Sequence, residues 1–200
     1  MSILYSNGKV RTPQGMKVAP QSYAKLEQVA DGVRGFLPRM AGSKHKLDCG
    51  KILEQTLLQA GYNFKIAELE DLDECAAFTI PERELIVIRA DIYDDLCNNG
   101  SFGRSTVVHE MAHIVLEHHV TLHRGACLGQ HKFYEDSEWQ AKALTAAIMM
   151  PLEVCKEVAD AAELAQECGT SFQAATFRLD NLKKYGHLKG QRTLFNGNFQ

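Results

Sequence analysis

The sequence has no hydrophobic run long enough to span a bilayer, no pair of cysteines in CxxC spacing and no strong excess of charge of one sign. Each absence removes a class of protein. A membrane-spanning helix needs roughly 20 consecutive apolar residues, so an integral membrane protein is not expected. The six Cys, at positions 49, 75, 97, 127, 155 and 168, are scattered, which sets aside cysteine zinc fingers and thioredoxin-type redox motifs. A net charge of −3 gives the chain as a whole no general attraction to polyanions. The stretch MSILYSNGKVRTPQG at the start lacks the apolar core of a signal peptide, so the expectation is a cytoplasmic protein with reduced thiols.

What is present is a chain of 200 residues, 45% hydrophobic, enough for one domain with a proper core. Residues 1–21 are polar and basic, with two Gly and two Pro, and read as a flexible N-terminal arm. From Ser22 the spacing of Tyr23, Leu26, Val29, Ala30, Val33 and Phe36 predicts a helix ending before Pro38, and Leu47 to Ala60 predicts a second, stopped by Gly61. Three short β-type runs follow, at Tyr62 to Ile66, Ala76 to Ile80 and Glu84 to Arg89. Pro81-Glu82-Arg83 reads as the turn of an antiparallel hairpin between the last two. Asp91 to Cys97 reads as a short helix broken by Asn98-Asn99-Gly100, and further helices are expected at Glu135 to Met150, Leu152 to Cys168 and Ser171 to Tyr185. The class is α+β.

The chemistry concentrates in RSTVVHEMAHIVLEHHV, Arg104 to Val120. Ser105 is a plausible N-cap, and no Pro or Gly interrupts Thr106 to Val120, which is read as one apolar helix. On a helix, His109 and His113 lie one turn apart on the same face and can offer both imidazoles to one ion. Glu110 lies about 100° around from His109, placed to meet a water at that ion as general base. This is the HExxH arrangement of zinc hydrolases. The plainer reading is a core helix with hydrogen-bonded His residues, yet two imidazoles and a carboxylate in so apolar a helix call for partners.

A catalytic zinc takes three protein ligands and keeps a fourth position for water. His119 lies six residues after His113, but if the helix continues that is about 600° of rotation, off the His113 face. The spacing favours Glu138, which opens a helix 25 residues after His113; Asp136 and Glu135 stand nearby as alternatives, or as charges that complement the helix dipole. His118, His131, Tyr134 and Arg104 are the candidate donors to a developing oxyanion.

Three blocks resemble the ImmA/IrrE-type zinc metallopeptidases. EWQAKALTAAIMMP, Glu138 to Pro151, is similar to that family's Glu-x-x-Ala-Asn-x-Phe-Ala-x-x-Leu-Leu-Met-Pro. Upstream, RSTVVHEMAH resembles Arg-Phe-Thr-x-x-His-Glu-Leu-Gly-His, and downstream TSFQAATFRLDNL resembles Val-Ser-x-x-Ala-x-x-x-Arg-Leu-x-x-Leu. The departures are Lys142 for Asn, Leu144 for Phe and Ala112 for Gly; none removes a ligand. The resemblance implies a zincin-like metallopeptidase domain over 22–151, with His109, His113 and Glu138 as ligands of one catalytic Zn2+ and Glu110 as base. It further implies cleavage of a regulatory protein, such as a helix-turn-helix repressor or antitoxin-like partner. The contrasting expectation is a non-proteolytic module whose zinc is structural, with a fourth ligand such as His119, His123 or Cys127.

The C-terminal helical region, 152–200, has a helix-turn-helix look from Leu164 to Leu179, with Thr170 and Gln173 at capping-box spacing. Arg178, Lys183 and Lys184 are the residues a DNA reading would use. The favoured reading is a helical pair packed under the metal site, because the first of the two helices is acidic.

Overall fold

An apolar helix placed at the centre of a fold needs neighbours on every side, and the helix carrying HExxH has them. The structure, a computed structural model, describes residues 4–6, 9–11, 15–72, 75–118 and 131–188. Helix α5, Ser101–Val115, follows helix α4, Ala90–Cys97, and is covered on its other flank by helix α6, Ser137–Met149. Val107, Val108, Met111 and Ala112 are buried in this packing, and each larger side chain contributes roughly 1.5–3 kcal/mol by leaving water.

The ends of α5 differ from the sequence reading. Ser105 is not the cap: the helix opens five residues earlier on Gly100, and the Ser105 hydroxyl donates back to the Phe102 carbonyl at 2.9 Å. The substitute cap comes from α4, where an Asp95 carboxylate oxygen accepts the Gly103 backbone N–H at 2.7 Å. Gly103 itself is required for the close α4–α5 approach, since a Cβ there would lie 2.5 Å from the Leu96 nitrogen. The helix stops at Val115 rather than Val120, because Glu117 turns left-handed at φ 52. The Glu117 and His118 amides then bond to the Ile114 and His113 carbonyls at 3.0 Å each, so the chain doubles back over the last turn.

The sheet has three strands: β3, Asn63–Ala67, β4, Ala77–Ile80, and β5, Leu85–Arg89, in the order β3-β5-β4. (β1, Leu4–Ser6, and β2, Lys9–Arg11, pair separately as an antiparallel ladder.) β5 is central, with Ile86, Val87 and Ile88 buried, parallel to β3 and antiparallel to β4 in the hairpin the turn residues predicted. That leaves β4 as the edge strand beside α5.

The remaining helices are α1, Tyr23–Arg34, capped by the Ser22 hydroxyl; α2, Cys49–Lys51, continuing as a π-helical stretch through Ile52–Leu57; α3, Leu69–Leu72; α7, Leu152–Glu157; α8, Ala161–Cys168; and α9, Phe172–Lys184. The single helix expected from Leu152 to Cys168 is two. Asp160 Oδ1 takes the Ala162 and Glu163 amides at 2.8 and 2.9 Å while Glu163 reaches back to the Ala159 amide at 2.6 Å, a reciprocal cap that starts a new helix. Likewise the cap of α9 is Ser171, whose hydroxyl accepts the Ala174 amide at 3.1 Å; the Thr170 hydroxyl instead meets Met150 Sδ at 3.4 Å.

Three arginines are buried where helices end. Arg34 donates to the Ile148 and His45 carbonyls, and Arg104 to the Leu47, Cys168 and Gly169 carbonyls. Arg178 is 1% exposed; it donates to the Met150 carbonyl at 2.9 Å, to the Tyr23 hydroxyl at 2.7 Å and to both carboxylate oxygens of Glu27. Residues 15–21, which the sequence reading placed in a flexible arm, lie along the N-terminus of α6, with the Val18 and Gln21 amides bonded to the Glu135 and Tyr134 carbonyls at 2.8 and 3.0 Å.

Candidate metal centre

The i,i+4 spacing on α5 and the first turn of α6 bring three of the predicted residues to one point. His113 Nε2 lies 3.2 Å from His109 Nε2, His113 Nε2 lies 3.2 Å from Glu138 Oε1, and His109 Nε2 lies 3.4 Å from Glu138 Oε2. Ligand atoms about 2.0–2.1 Å from one ion in a tetrahedral array are separated by about 3.3–3.4 Å, and each of these contacts lies near that separation, the two imidazoles meeting different oxygens of the Glu138 carboxylate. Among the described residues this is the group able to hold a metal ion.

The electrostatics agree. Hydrogen bonds from His109 and then His113 hold the Glu138 carboxyl well below the usual carboxylate range, against the opposing effect of its burial. A cation at that point takes the place of those imidazole protons. Lys142, standing where the family's Asn is usual, lies one turn along α6 and 3.8 Å from Glu138 Oε2.

Behind His113 a chain of hydrogen bonds determines which nitrogen faces the centre. The Gln140 amide nitrogen is 2.8 Å from both the Ala19 and the Tyr134 carbonyl oxygens, so both its protons are used and its oxygen is the acceptor. His118 Nε2, 3.0 Å from that oxygen, therefore carries a proton. Burial pushes the His118 pKa down, and its Nδ1 stands 3.0 Å from His113 Nδ1. The His113 ring is thereby held from behind with Nε2 facing His109 and Glu138, the kind of outer hydrogen bond that orients a ligating imidazole.

Glu110 is buried, at 5% exposure, and its Oε2 accepts the Thr79 hydroxyl of β4 at 2.8 Å. The site opens on a cleft walled by Phe78 and Thr79 of β4, Phe102 of α5 and Trp139 of α6. Of the other residues the sequence singled out, Asp136 caps α6 at the Trp139 amide and pairs with His131 at 2.9 Å, so both are engaged away from the donors. Glu135 accepts the Lys132 amide at 3.0 Å. Arg104 is buried on the carbonyls named above, and His118, expected as an oxyanion donor, is committed to His113. His119, His123 and Cys127 lie outside the described residues. Sequence reasoning missed Thr79, Gln140 and Gly15; the capping-type Asp136 ahead of Glu138 was the one local signal that the first turn of α6 is held from outside.

Residues 103–180 match the model of the IrrE N-terminal-like domain, a peptidase family. The family resemblance carried by the three sequence blocks holds over those residues. No curated protein matches the chain at a significant level. No helix of the described residues is long and apolar enough to cross a membrane.

Proposed function

We propose that this chain, whose residues 103–180 form an IrrE N-terminal-like peptidase domain, is a zinc-dependent endopeptidase acting on a protein substrate. One observation carries the reading: two imidazole nitrogens of one helix and a carboxylate of another meet at contacts of 3.2–3.4 Å, with a second carboxylate, Glu110, beside them at the wall of a cleft. His109, His113 and Glu138 would hold the ion, three protein ligands being the number a catalytic zinc takes beside its water.

When bound, zinc supplies Lewis acidity and lowers the pKa of a water towards about 7. Glu110 acts as the base. The Thr79 hydroxyl occupies its Oε2, which orients the carboxylate and leaves Oε1 to take the proton from the attacking water and pass it to the leaving amine. β4, an edge strand among the described residues, lies beside this carboxylate through Thr79 and can receive an extended substrate backbone by strand addition. By resemblance, the substrate class is a regulatory protein of the repressor or antitoxin type in the cytoplasm. A DNA-reading role for α8 and α9 is disfavoured because Arg178 is buried against Glu27 and cannot reach phosphate.

Elemental analysis of the purified chain and of Glu138→Ala tests the reading. About one zinc per chain is expected in the wild type, with a loss of affinity in the variant exceeding the roughly 10–100-fold that outer-sphere changes cost, while circular dichroism shows both folded. A folded wild type that takes up no zinc, or a variant that keeps it, overturns the assignment.

A further inference from the structure

The strand-like residues 15–21 stand outside the matched family domain and 121 positions from the first turn of α6, yet they are bonded to it throughout. The Gly15 amide donates to Asp136 Oδ2 at 2.8 Å, the Met16 amide to the Ser137 hydroxyl at 3.0 Å, and the Met16 carbonyl accepts the Ser137 amide at 3.0 Å. The last of these satisfies one of the amides that a helix N-terminus leaves without an internal partner. Two features go further than tying down a helix end.

The first is contact with a ligand. Gly15 is pressed so closely against α6 that a Cβ would lie 2.5 Å from Ser137 Oγ, 2.6 Å from the Glu138 amide nitrogen and 2.9 Å from Glu138 Cγ. One of these is backbone, which cannot rotate away. The bare glycine therefore serves as the wall against which the Glu138 side chain is set. Glutamate is among the side chains that lose most rotamer freedom on being fixed, and a wall at Cγ imposes that order before an ion arrives. The second feature reaches the other helix. The Ala19 carbonyl takes one proton of the Gln140 amide, whose oxygen meets His118 Nε2, and the other nitrogen of that ring stands 3.0 Å from His113 Nδ1, so the chain of contacts orients the His113 ring.

We propose that residues 15–19 are a positioning strap for the metal centre, fixing Glu138 through Gly15 and His113 through the Ala19 carbonyl, so that metal affinity depends on a segment distant from the HExxH domain in sequence. The inference rests on the zinc reading above. None of these strap residues touches the reacting atoms; they act through the ligands.

The test is the zinc dissociation constant of the metal-free 200-residue chain, measured by competition with a chromophoric chelator, for wild type, Gly15→Ala, Val18→Pro and the control Gly32→Ala. Circular dichroism and thermal melting of each metal-free protein accompany it. Gly15→Ala pushes on Glu138 directly, whereas Val18→Pro removes the strap's bond to the Glu135 carbonyl and restricts the neighbouring Lys17 backbone without adding bulk against Glu138. At Gly32, in α1, a Cβ meets nothing within 4 Å. Gly15→Ala is expected to weaken zinc about 10–100-fold, as outer-sphere substitutions do, with Val18→Pro weaker by a smaller factor and Gly32→Ala unchanged. Should Gly15→Ala fail to fold, Val18→Pro decides: weakened binding supports the strap, and wild-type affinity overturns it. Unchanged affinity in folded Gly15→Ala overturns the strap and leaves the zinc centre standing. No zinc uptake by wild type overturns both.

Discussion

Glu110→Gln is expected to lower peptide cleavage by about 10²–10⁴-fold, the usual contribution of a positioned general base, while zinc content stays at the wild-type level. The substitution is nearly isosteric. The amide oxygen can still accept the Thr79 hydroxyl now bonded to Glu110 Oε2 at 2.8 Å, so the side chain should remain where it is. What it loses is the capacity to take a proton. The paired measurements are cleavage of a protein or peptide substrate and metal content of the same preparation. Loss of zinc would move Glu110 into the ligand set, and undiminished cleavage would remove it from the chemistry.

Arg178→Met is expected to destabilise the fold by about 3–5 kcal/mol, the cost of stranding one member of a buried ion pair. The guanidinium satisfies Glu27, Tyr23 and the carbonyl at the end of α6 together, and Met supplies none of those donors. Glu27 is left as a buried charge, 7% exposed. Equilibrium denaturant unfolding measures the loss. The double variant with Glu27→Leu should recover much of it, because two apolar side chains of similar volume replace the pair without an uncompensated charge. A single variant within about 1 kcal/mol of wild type would show that the pair contributes little net stability. The size expected here is a large fraction of a typical domain's 5–15 kcal/mol.

The meeting of His109, His113 and Glu138 was legible in the sequence because two of them obey helical periodicity and the third begins a helix with its own motif. Interiors of helices and strands were legible for the same reason: periodic burial leaves a periodic trace, as in the run from Leu85 to Arg89. The ends were not. Ser105 has the chemistry of a cap, yet Asp95 on the preceding helix performs that role. Glu117 has no glycine to announce a left-handed turn, so the stop after Val115 was invisible and His118 was read as a candidate oxyanion donor rather than as a partner of His113. The break before Ala161 did leave a signal, Asp160 with Glu163 three residues later, which the apolar periodicity of Leu152 to Cys168 masked. Contacts across the chain carry no local trace at all. Thr79 meets Glu110 from 31 residues away, and Gly15 meets Asp136 from 121; in each case the residue is ordinary and only the fold gives it a task.

The arginine beneath α6 also bears on how this architecture can be recombined. Helices α8 and α9 look like a self-contained cassette, and a boundary after Pro151 is where sequence pattern divides the chain. Yet α9 carries a cation whose counter-charge resides on α1 and whose other bonds are to the Tyr23 hydroxyl, also on α1, and to the carbonyl of Met150. Exchanging that pair of helices with another protein would bring an orphan guanidinium into the recipient and leave an orphan carboxylate in the donor. The two ends of the chain are therefore coupled as a single heritable unit, in which a change at Glu27 constrains what position 178 can become.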